Sequence, residues 1–266
     1  MQNLSRAYPV WLCDVWGVVH DGHKPFAAAV AALTRHRAEG GKVIFITNAP
    51  RPKAVIQAFI DHIGVPRSSY DDMVTSGDVT RDLMLHLAGP AVYHLGPEKD
   101  LPLFAGLAVQ RVPLDEAGSV VCTGLFDELK ETAEDYRPQL AEMLRRGLPM
   151  ICANPDKVAQ KGKLLMPCAG AIAEIYEAMG GKVLMAGKPF APIYELALQV
   201  AGGVPKAQVL AIGDGPDTDI KGALQNGLAC VFISGGINEG DDAEADVRRR
   251  YPRAKIIHAM RELYWS

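Results

Sequence analysis

Polar side chains that could handle a phosphate group follow four separate apolar runs of the chain. Asp14 follows "VWLC", Thr47 and Asn48 follow "VIFI", Lys188 follows "VLMAG", and Asp214 follows "VLAIG". Two carboxylates form a hard-oxygen pair that suits Mg²⁺, and a lysine with a hydroxyl or amide group can bind phosphate oxygens. A carboxylate can also act as a nucleophile and form an aspartyl-phosphate that water then hydrolyses. These residue types therefore favour metal-assisted phosphate chemistry.

The elements that would position these side chains are short apolar runs bounded by Gly, Pro or Asp. Their apolarity is continuous, which is typical of strands buried on both faces of a parallel sheet. Segments with helical spacing lie between them, so the alternation predicts an α/β fold with a doubly wound parallel sheet. Ligands bind at the carboxyl ends of strands in such sheets, so the four polar strand ends are expected at one rim. The predicted strands are "VWLCD", "KVIFITN", "AVYHLG", "SVVCTG", "PMICANPD", "KVLMAGK", "QVLAIGD", "ACVFISGG" and "AKIIHA".

The segment "GDGPDTDIKGA" contains Asp214, Asp217 and Asp219, and different roles are expected for the first two. Asp214 directly follows a buried strand, where an unpaired charge is costly, so metal binding is favoured there. For Asp217 a helix cap or a surface role is the better interpretation.

Other kinds of site have weaker support in the sequence. The chain has no G-x-x-x-x-G-K-[ST] and no G-x-G-x-x-G motif, which excludes the standard nucleotide cradles. The "HDGH" segment at 20–23 is better explained by a turn than by a metal site. Neither Ser76 nor Ser234 has a His and Asp partner suggested by local sequence, which disfavours a hydrolase triad.

The composition limits the classes of partner. The 266 residues have 48% hydrophobic and 22% charged residues and a formal net charge of −3, without a long basic run. This argues against nucleic-acid or membrane-surface binding. No apolar stretch reaches the length of a membrane span, and the first residues lack a signal-peptide layout. The five cysteines lie far apart, most of them in or beside apolar runs, so we expect buried reduced thiols and a cytoplasmic location.

Four motifs in order resemble the haloacid dehalogenase-like (HAD) superfamily, in its class IIA branch of sugar-phosphatase and nitrophenylphosphatase-like proteins. They are "CDVWGVV", "FITNAPRP", "AGKPFAPIYELAL" and "AIGDGPDTDIKGALQNG". The resemblance implies a Rossmann-like core over 1–87 and 182–266, interrupted by an inserted α/β cap domain over 88–181. It also implies a hydrolase for small phosphorylated metabolites, and class IIA relatives are often dimers, so a homodimer is an expectation.

The same resemblance assigns roles to individual residues. The catalytic residues would be Asp14 as nucleophile, Lys188 pairing with it and with the phosphate, and Thr47. Mg²⁺ would be held by Asp14, Asp214 and the backbone carbonyl of Trp16, with Asp219 in the outer shell. Substrate or phosphate binding would involve the residues Trp16, Thr47, Asn48, Asn154, Asp156 and Lys188.

Trp16 is the departure from this pattern, because phosphatases of the family usually have an aspartate there that protonates the leaving group. An indole N–H cannot donate a proton near neutral pH, and loss of a general acid removes about 10²–10⁴-fold in rate. The indole could plug the space beside the site, or it could stack on a substrate. His20 or Asp21, further along the same loop, is a candidate replacement for the acid.

Three interpretations of Trp16 stay open. The chain could be a Mg²⁺-dependent phosphatase, either slow or suited to leaving groups that need no proton. It could instead be a phosphate-metabolite binding or regulatory protein with little turnover. Relatives that cleave carbon–halogen bonds also lack the second acid, but they need no metal, whereas Asp214 and Asp219 preserve a metal-type motif. The favoured function is a phosphatase acting through Asp14.

Overall fold

The computed structural model describes residues 1–161, 164–235 and 242–266. All nine runs predicted as strands contain one, and the α/β fold class is confirmed. The strands are β1 (Val10–Cys13), β2 (Lys42–Thr47), β3 (Asp72–Thr75), β4 (Ala91–Leu95), β5 (Gln110–Arg111), β6 (Ser119–Cys122), β7 (Met150–Cys152), β8 (Val158–Lys161), β9 (Leu164–Pro167), β10 (Val183–Met185), β11 (Val209–Gly213), β12 (Ala229–Ile233) and β13 (Lys255–Met260).

The α-helices alternate with these strands over most of the chain. The helices are α1 (Gln2–Ala7), α2 (Ala27–Ala38), α3 (Lys53–His62), α4 (Ser76–Leu83), α5 (Arg137–Arg145), α6 (Ala169–Ala178), α7 (Ala191–Val200), α8 (Lys221–Asn226) and α9 (Ala243–Arg250). The ends of α7 follow from its sequence, because Pro192 lies in its first turn and Gly202 and Gly203 follow it with positive φ.

The chain divides into two compact units. The first contains residues 1–47, 56–74 and 188–266, and the second contains residues 48–55 and 75–187. The predicted cap segment, 88–181, lies within the second unit, whose sheet also includes β10 beyond residue 181. Assignment of 88–181 as a substrate-covering cap stays a prediction.

The first unit is built on a six-stranded sheet of order β13-β12-β11-β1-β2-β3. Neighbouring strands from β13 to β2 are parallel, and every residue of β1, β11 and β12 is buried. From β1 the chain moves outward to β2 and β3, and it later returns to β11 on the other side of β1. The strand order therefore reverses between β1 and β11, which is where open α/β sheets bind ligands.

The second unit has its own five-stranded parallel sheet, of order β10-β7-β6-β4-β5, and a separate antiparallel hairpin of β8 and β9. Helices α5 and α6 cover one face of this sheet, where Leu140 and Met143 pack with Ile172 and Tyr176. This unit therefore has a hydrophobic core of its own.

The five cysteines are unpaired, and Cys168 alone among them is not fully buried. The prediction of buried thiols is therefore confirmed for Cys13, Cys122, Cys152 and Cys230. Across the described residues, no helix combines the length and apolarity needed to span a bilayer.

Candidate active site

Asp14 is delivered to the carboxyl edge of the first unit's sheet by β1. Its backbone N–H continues the parallel ladder by donating to Ile212 O at 2.8 Å, and its side chain is buried. Asp214 follows β11, the neighbouring strand, and is buried as well. The two carboxylates thus leave adjacent strands at the point where the strand order reverses, as the sequence predicted.

Gly17 allows the loop after Asp14 to pass directly against Asp214. Its φ is +83°, and a Cβ atom at this position would lie 2.2 Å from Asp214 Oδ2. Any other residue would therefore be strained and would also displace the carboxylate. Gly17 was not among the predicted site residues, although it lies directly after Trp16 in the first motif.

Lys188 connects two of the acidic side chains. Its Nζ donates to Asp14 Oδ1 at 2.6 Å and to Asp219 Oδ1 at 2.8 Å, and all three side chains are buried. Asp219 Oδ2 accepts a further hydrogen bond from the backbone N–H of Gly215 at 3.1 Å. The lysine therefore bridges two carboxylates that lie 174 and 31 residues away from it in the sequence.

Burial and charge act in opposite directions on these groups. Burial alone would lower the pKa of Lys188, but the charges of Asp14 and Asp219 outweigh it and raise this pKa well above the usual value. Burial raises the pKa of Asp219 to about 6; Asp14 adds to the rise and Lys188 opposes it. Lys188 is therefore held as an ammonium ion at neutral pH.

The site has the donor set of a divalent-cation centre. One carboxylate oxygen each from Asp14, Asp214 and Asp219 lies within 4.8 Å of the others, and all three residues are buried. Three carboxylates and one ammonium leave a formal charge of −2 in this region. Carboxylate oxygens are the ligands that Mg²⁺ prefers, so these residues fit the expected ion.

The remaining predicted residues occupy two places. Thr47 is the last residue of β2, beside β1, and is buried at the same edge of the first unit's sheet. Within the second unit, Asn48 Nδ2 donates to Asp156 Oδ1 at 2.8 Å, and Asp156 N donates to Asn154 Oδ1 at 3.0 Å. These three residues therefore form one hydrogen-bonded group.

Asp217 has the surface role favoured from the sequence. It pairs with Arg250 at 2.7 Å and also accepts a hydrogen bond from the Tyr251 hydroxyl. Its side chain is 65% exposed, so it is separate from the buried aspartates.

Trp16 is held in its loop by neighbouring rings. Its indole meets the His20 imidazole edge-on, with 5.3 Å between ring centroids, and His20 meets Phe59 edge-on at 5.8 Å. The far edge of the indole lies over Gly22, where a Cβ atom would come within 2.5 Å of Trp16 Cη2. The indole is nevertheless 37% exposed, so it is a fixed aromatic surface rather than a buried plug.

Neither His20 nor Asp21 is arranged as a general acid. Burial lowers the pKa of His20 to about 4, and its Nδ1 accepts a hydrogen bond from Gly22 N at 3.0 Å. Backbone N–H groups of Lys24 and His23 donate to Asp21 Oδ1 and lower the pKa of that carboxyl. At neutral pH the imidazole is therefore uncharged and the carboxylate is ionised, so neither fits the role of replacement acid.

Comparison with known proteins agrees with this arrangement. Residues 11–110 match the family described as haloacid dehalogenase-like hydrolase, and residues 185–263 match a second family described as HAD-hydrolase-like. A haloacid dehalogenase-like hydrolase from Brucella suis 1330 is 44% identical, with a TM-score of 0.90, over 99% of this chain and 98% of that chain. The chain belongs to the haloacid dehalogenase-like hydrolase family.

Curated relatives of this HAD hydrolase include phosphatases. The D-glycerol 3-phosphate phosphatase of Mycobacterium tuberculosis is 28% identical over 99% of this chain and 73% of its own length. A glycerol phosphate phosphatase structure from the same organism, in complex with magnesium, is 25% identical, has a TM-score of 0.76 and covers 98% of this chain and 77% of that chain. The predicted HAD superfamily and its class IIA phosphatase branch are thereby confirmed.

Proposed function

We propose that this HAD hydrolase is a Mg²⁺-dependent phosphatase that cleaves a small phosphate monoester through an aspartyl-phosphate at Asp14. The observation that carries the proposal is the buried pairing of Lys188 with both Asp14 and Asp219, at a switch point of the sheet. The glycerol phosphate phosphatases among the relatives support a small phosphorylated metabolite as the substrate class.

The proposed reaction has two displacements at phosphorus. A carboxylate oxygen of Asp14 attacks the phosphorus, and the bond to the leaving oxygen breaks with its electron pair passing to that oxygen. Water then attacks the phosphorus of the aspartyl-phosphate, which restores the Asp14 carboxylate and releases phosphate and a proton. Lys188 balances the negative charge in both steps, and Thr47 and Asn48 bind phosphoryl oxygens.

Asp14 and Asp214 would hold Mg²⁺ together with the backbone carbonyl of Trp16. Asp219 would lie in the outer shell of the ion, because both of its carboxylate oxygens already accept hydrogen bonds, from Lys188 and from Gly215. When bound, the ion supplies charge neutralisation and orientation of the transferring group.

The second unit supplies the other part of the proposal. We assign substrate binding to Asn154 and Asp156, which follow β7, and we assign the role of a cap to residues 88–181. The unpaired thiols favour a location in the reducing cytoplasm.

Phosphate release with and without Mg²⁺ tests the function. The panel is nitrophenyl phosphate, acetyl phosphate and glycerol phosphate, and the proteins are the native chain, Asp14→Asn and the control Asp217→Asn. We expect Mg²⁺-dependent release that falls by on the order of 10³-fold or more in Asp14→Asn. Asp217→Asn changes only exposed contacts, with Arg250 and the Tyr251 hydroxyl, so its rate should match the native rate.

Two outcomes would contradict the proposal. Release that persists in Asp14→Asn would show that the nucleophile lies elsewhere. Saturable binding of inorganic phosphate without release from any substrate would favour the alternative function, a phosphate-metabolite binding protein.

A further inference from the structure

Trp16 occupies a special place in the first unit. It comes two residues after Asp14, and the next residue, Gly17, lies against Asp214. The backbone that carries the indole therefore runs from one aspartate of the cluster, Asp14, to a packing contact with another, Asp214. The indole itself is exposed over 37% of its surface, unlike the buried side chains of Asp14 and Asp214.

The loop from Trp16 to Gly22 fixes the indole in one orientation. Gly17 N donates to His20 O at 2.9 Å, and Trp16 and His20 pair as an isolated parallel bridge. His20 is buried between the indole and Phe59, and glycine at 22 leaves room for the far edge of the indole. An aromatic side chain that is fixed before binding loses little entropy when a ligand stacks on it.

The same loop has no group poised to donate a proton. His20 Nδ1 and Asp21 Oδ1 both accept hydrogen bonds from backbone N–H groups of the loop. The indole N–H of Trp16 is a hydrogen-bond donor but not an acid. The loop therefore offers no acid to a leaving group beside it, and we expect such a group to depart as an anion.

We propose that Trp16 is a specificity-determining residue that selects phosphate compounds with a weakly basic, planar leaving group, namely aryl or acyl phosphates. This inference rests on the proposed function. In the first displacement the bond from phosphorus to the leaving oxygen breaks, and the electron pair stays on that oxygen as a phenolate or carboxylate. No proton is needed, and the planar group stacks on the exposed indole.

Kinetics with graded leaving groups test the inference. The substrates are nitrophenyl phosphate, phenyl phosphate, acetyl phosphate and glycerol phosphate, and the proteins are the native chain, Trp16→Phe, Trp16→Leu and Trp16→Asp. We expect native kcat/KM for nitrophenyl phosphate to exceed that for glycerol phosphate by about 10²-fold or more. Trp16→Asp should lower the ratio of these two kcat/KM values by about tenfold or more, because it introduces an acid that can protonate the leaving group. Trp16→Leu should raise KM for the aryl substrates by about 2–10-fold, whereas Trp16→Phe keeps a ring and should stay near the native value.

Binding gives a readout that does not depend on turnover. Phenylphosphonate should quench the fluorescence of the native chain and bind more tightly than methylphosphonate. Trp16→Phe should lose the quenching, because Trp11 is buried and the third tryptophan, Trp265, packs beside it with 6.4 Å between ring centroids.

The outcomes separate the two proposals. If the native chain cleaves glycerol phosphate as well as nitrophenyl phosphate, or if Trp16→Leu changes no aryl KM, the specificity role of Trp16 is wrong while the phosphatase stands. If the native chain releases phosphate from no substrate, the proposed function itself fails.

Discussion

Replacing Lys188 with methionine would remove the only cation paired in the described structure with Asp14 and Asp219. Methionine has a similar length and volume, so the change removes a charge without opening a large cavity. Asp14 and Asp219 would then stay buried without the ammonium group that pairs with both of them. We expect Lys188→Met to unfold more readily than the native chain at neutral pH when metal is absent.

The distances set the size of the effect. Pairs at 2.6 and 2.8 Å contribute about 6 kcal/mol each at an effective dielectric constant of about 20. Burial of the ammonium costs several kcal/mol in the opposite direction. Breaking a buried pair by removing one partner typically costs about 3–5 kcal/mol, and we expect a loss in this range for the free energy of unfolding.

Urea unfolding measures this loss, with Lys206→Met as the control because Lys206 is exposed. The control should stay within about 0.5 kcal/mol of the native chain. Mg²⁺ should stabilise Lys188→Met more than the native chain, because the ion offsets charges that no longer have a lysine. The loss should also shrink as pH falls, because protonation of the carboxylates relieves the repulsion between them. If Lys188→Met is as stable as Lys206→Met in the absence of metal, the pairing has no energetic weight and the reasoning fails.

Two further changes test the geometry around this site and the core beside it. Gly17→Ala should weaken Mg²⁺ binding by about tenfold or more in calorimetric titration, because the new Cβ displaces Asp214 Oδ2. Gly203→Ala is the control, because Gly203 also has a positive φ, +68°, but has open space around it. If both variants lose the same Mg²⁺ affinity, the clash with Asp214 is not the cause. Burial lowers the pKa of His36 to about 4, so the stability it contributes is complete above about pH 6.5 and is lost as pH falls toward 4. At about pH 5 the loss of stability is about 2 kcal/mol. His36→Phe keeps a ring stacked on Trp11 and should reduce the pH dependence of the free energy of unfolding, measured with urea, by that amount. If the pH dependence is unchanged in this variant, it comes from other groups.

Strands buried on both faces could be predicted from the sequence because their apolar runs are continuous. The strands that were missed have weaker patterns: β3 is an edge strand of four residues, "DMVT", and β5 is an exposed edge strand of two residues. β5 is polar and exposed, and β3, although mostly buried, has only two apolar residues, so neither sequence stands out from a loop. The hairpin of β8 and β9 was missed as well.

The positions of the candidate site residues at the strand ends were predictable for the same reason as the sheet. Parallel strands bring their carboxyl ends to one edge, so a polar residue after a buried run can be placed before any contact is known. The pairing of Lys188 with Asp219 was not predictable in this way, because it depends on the turn at Pro216–Ile220 returning Asp219 toward the sheet.

The orientation of Trp16 lay furthest from what the sequence could provide. It depends on the left-handed backbone of Gly22 and on Phe59, which belongs to a helix some forty residues further along the chain. Sequence spacing gives the distance from Asp14, but only the fold determines whether an indole there is buried or exposed. The exposure favours substrate contact over the plug, because a buried plug would only block the site, whereas a fixed and exposed ring can contact a ligand. The selectivity assigned to Trp16 should therefore depend on an aromatic ring and not on the size of the side chain. Trp16→Phe keeps a ring and Trp16→Leu does not, so KM for aryl phosphates in these two variants distinguishes the two causes.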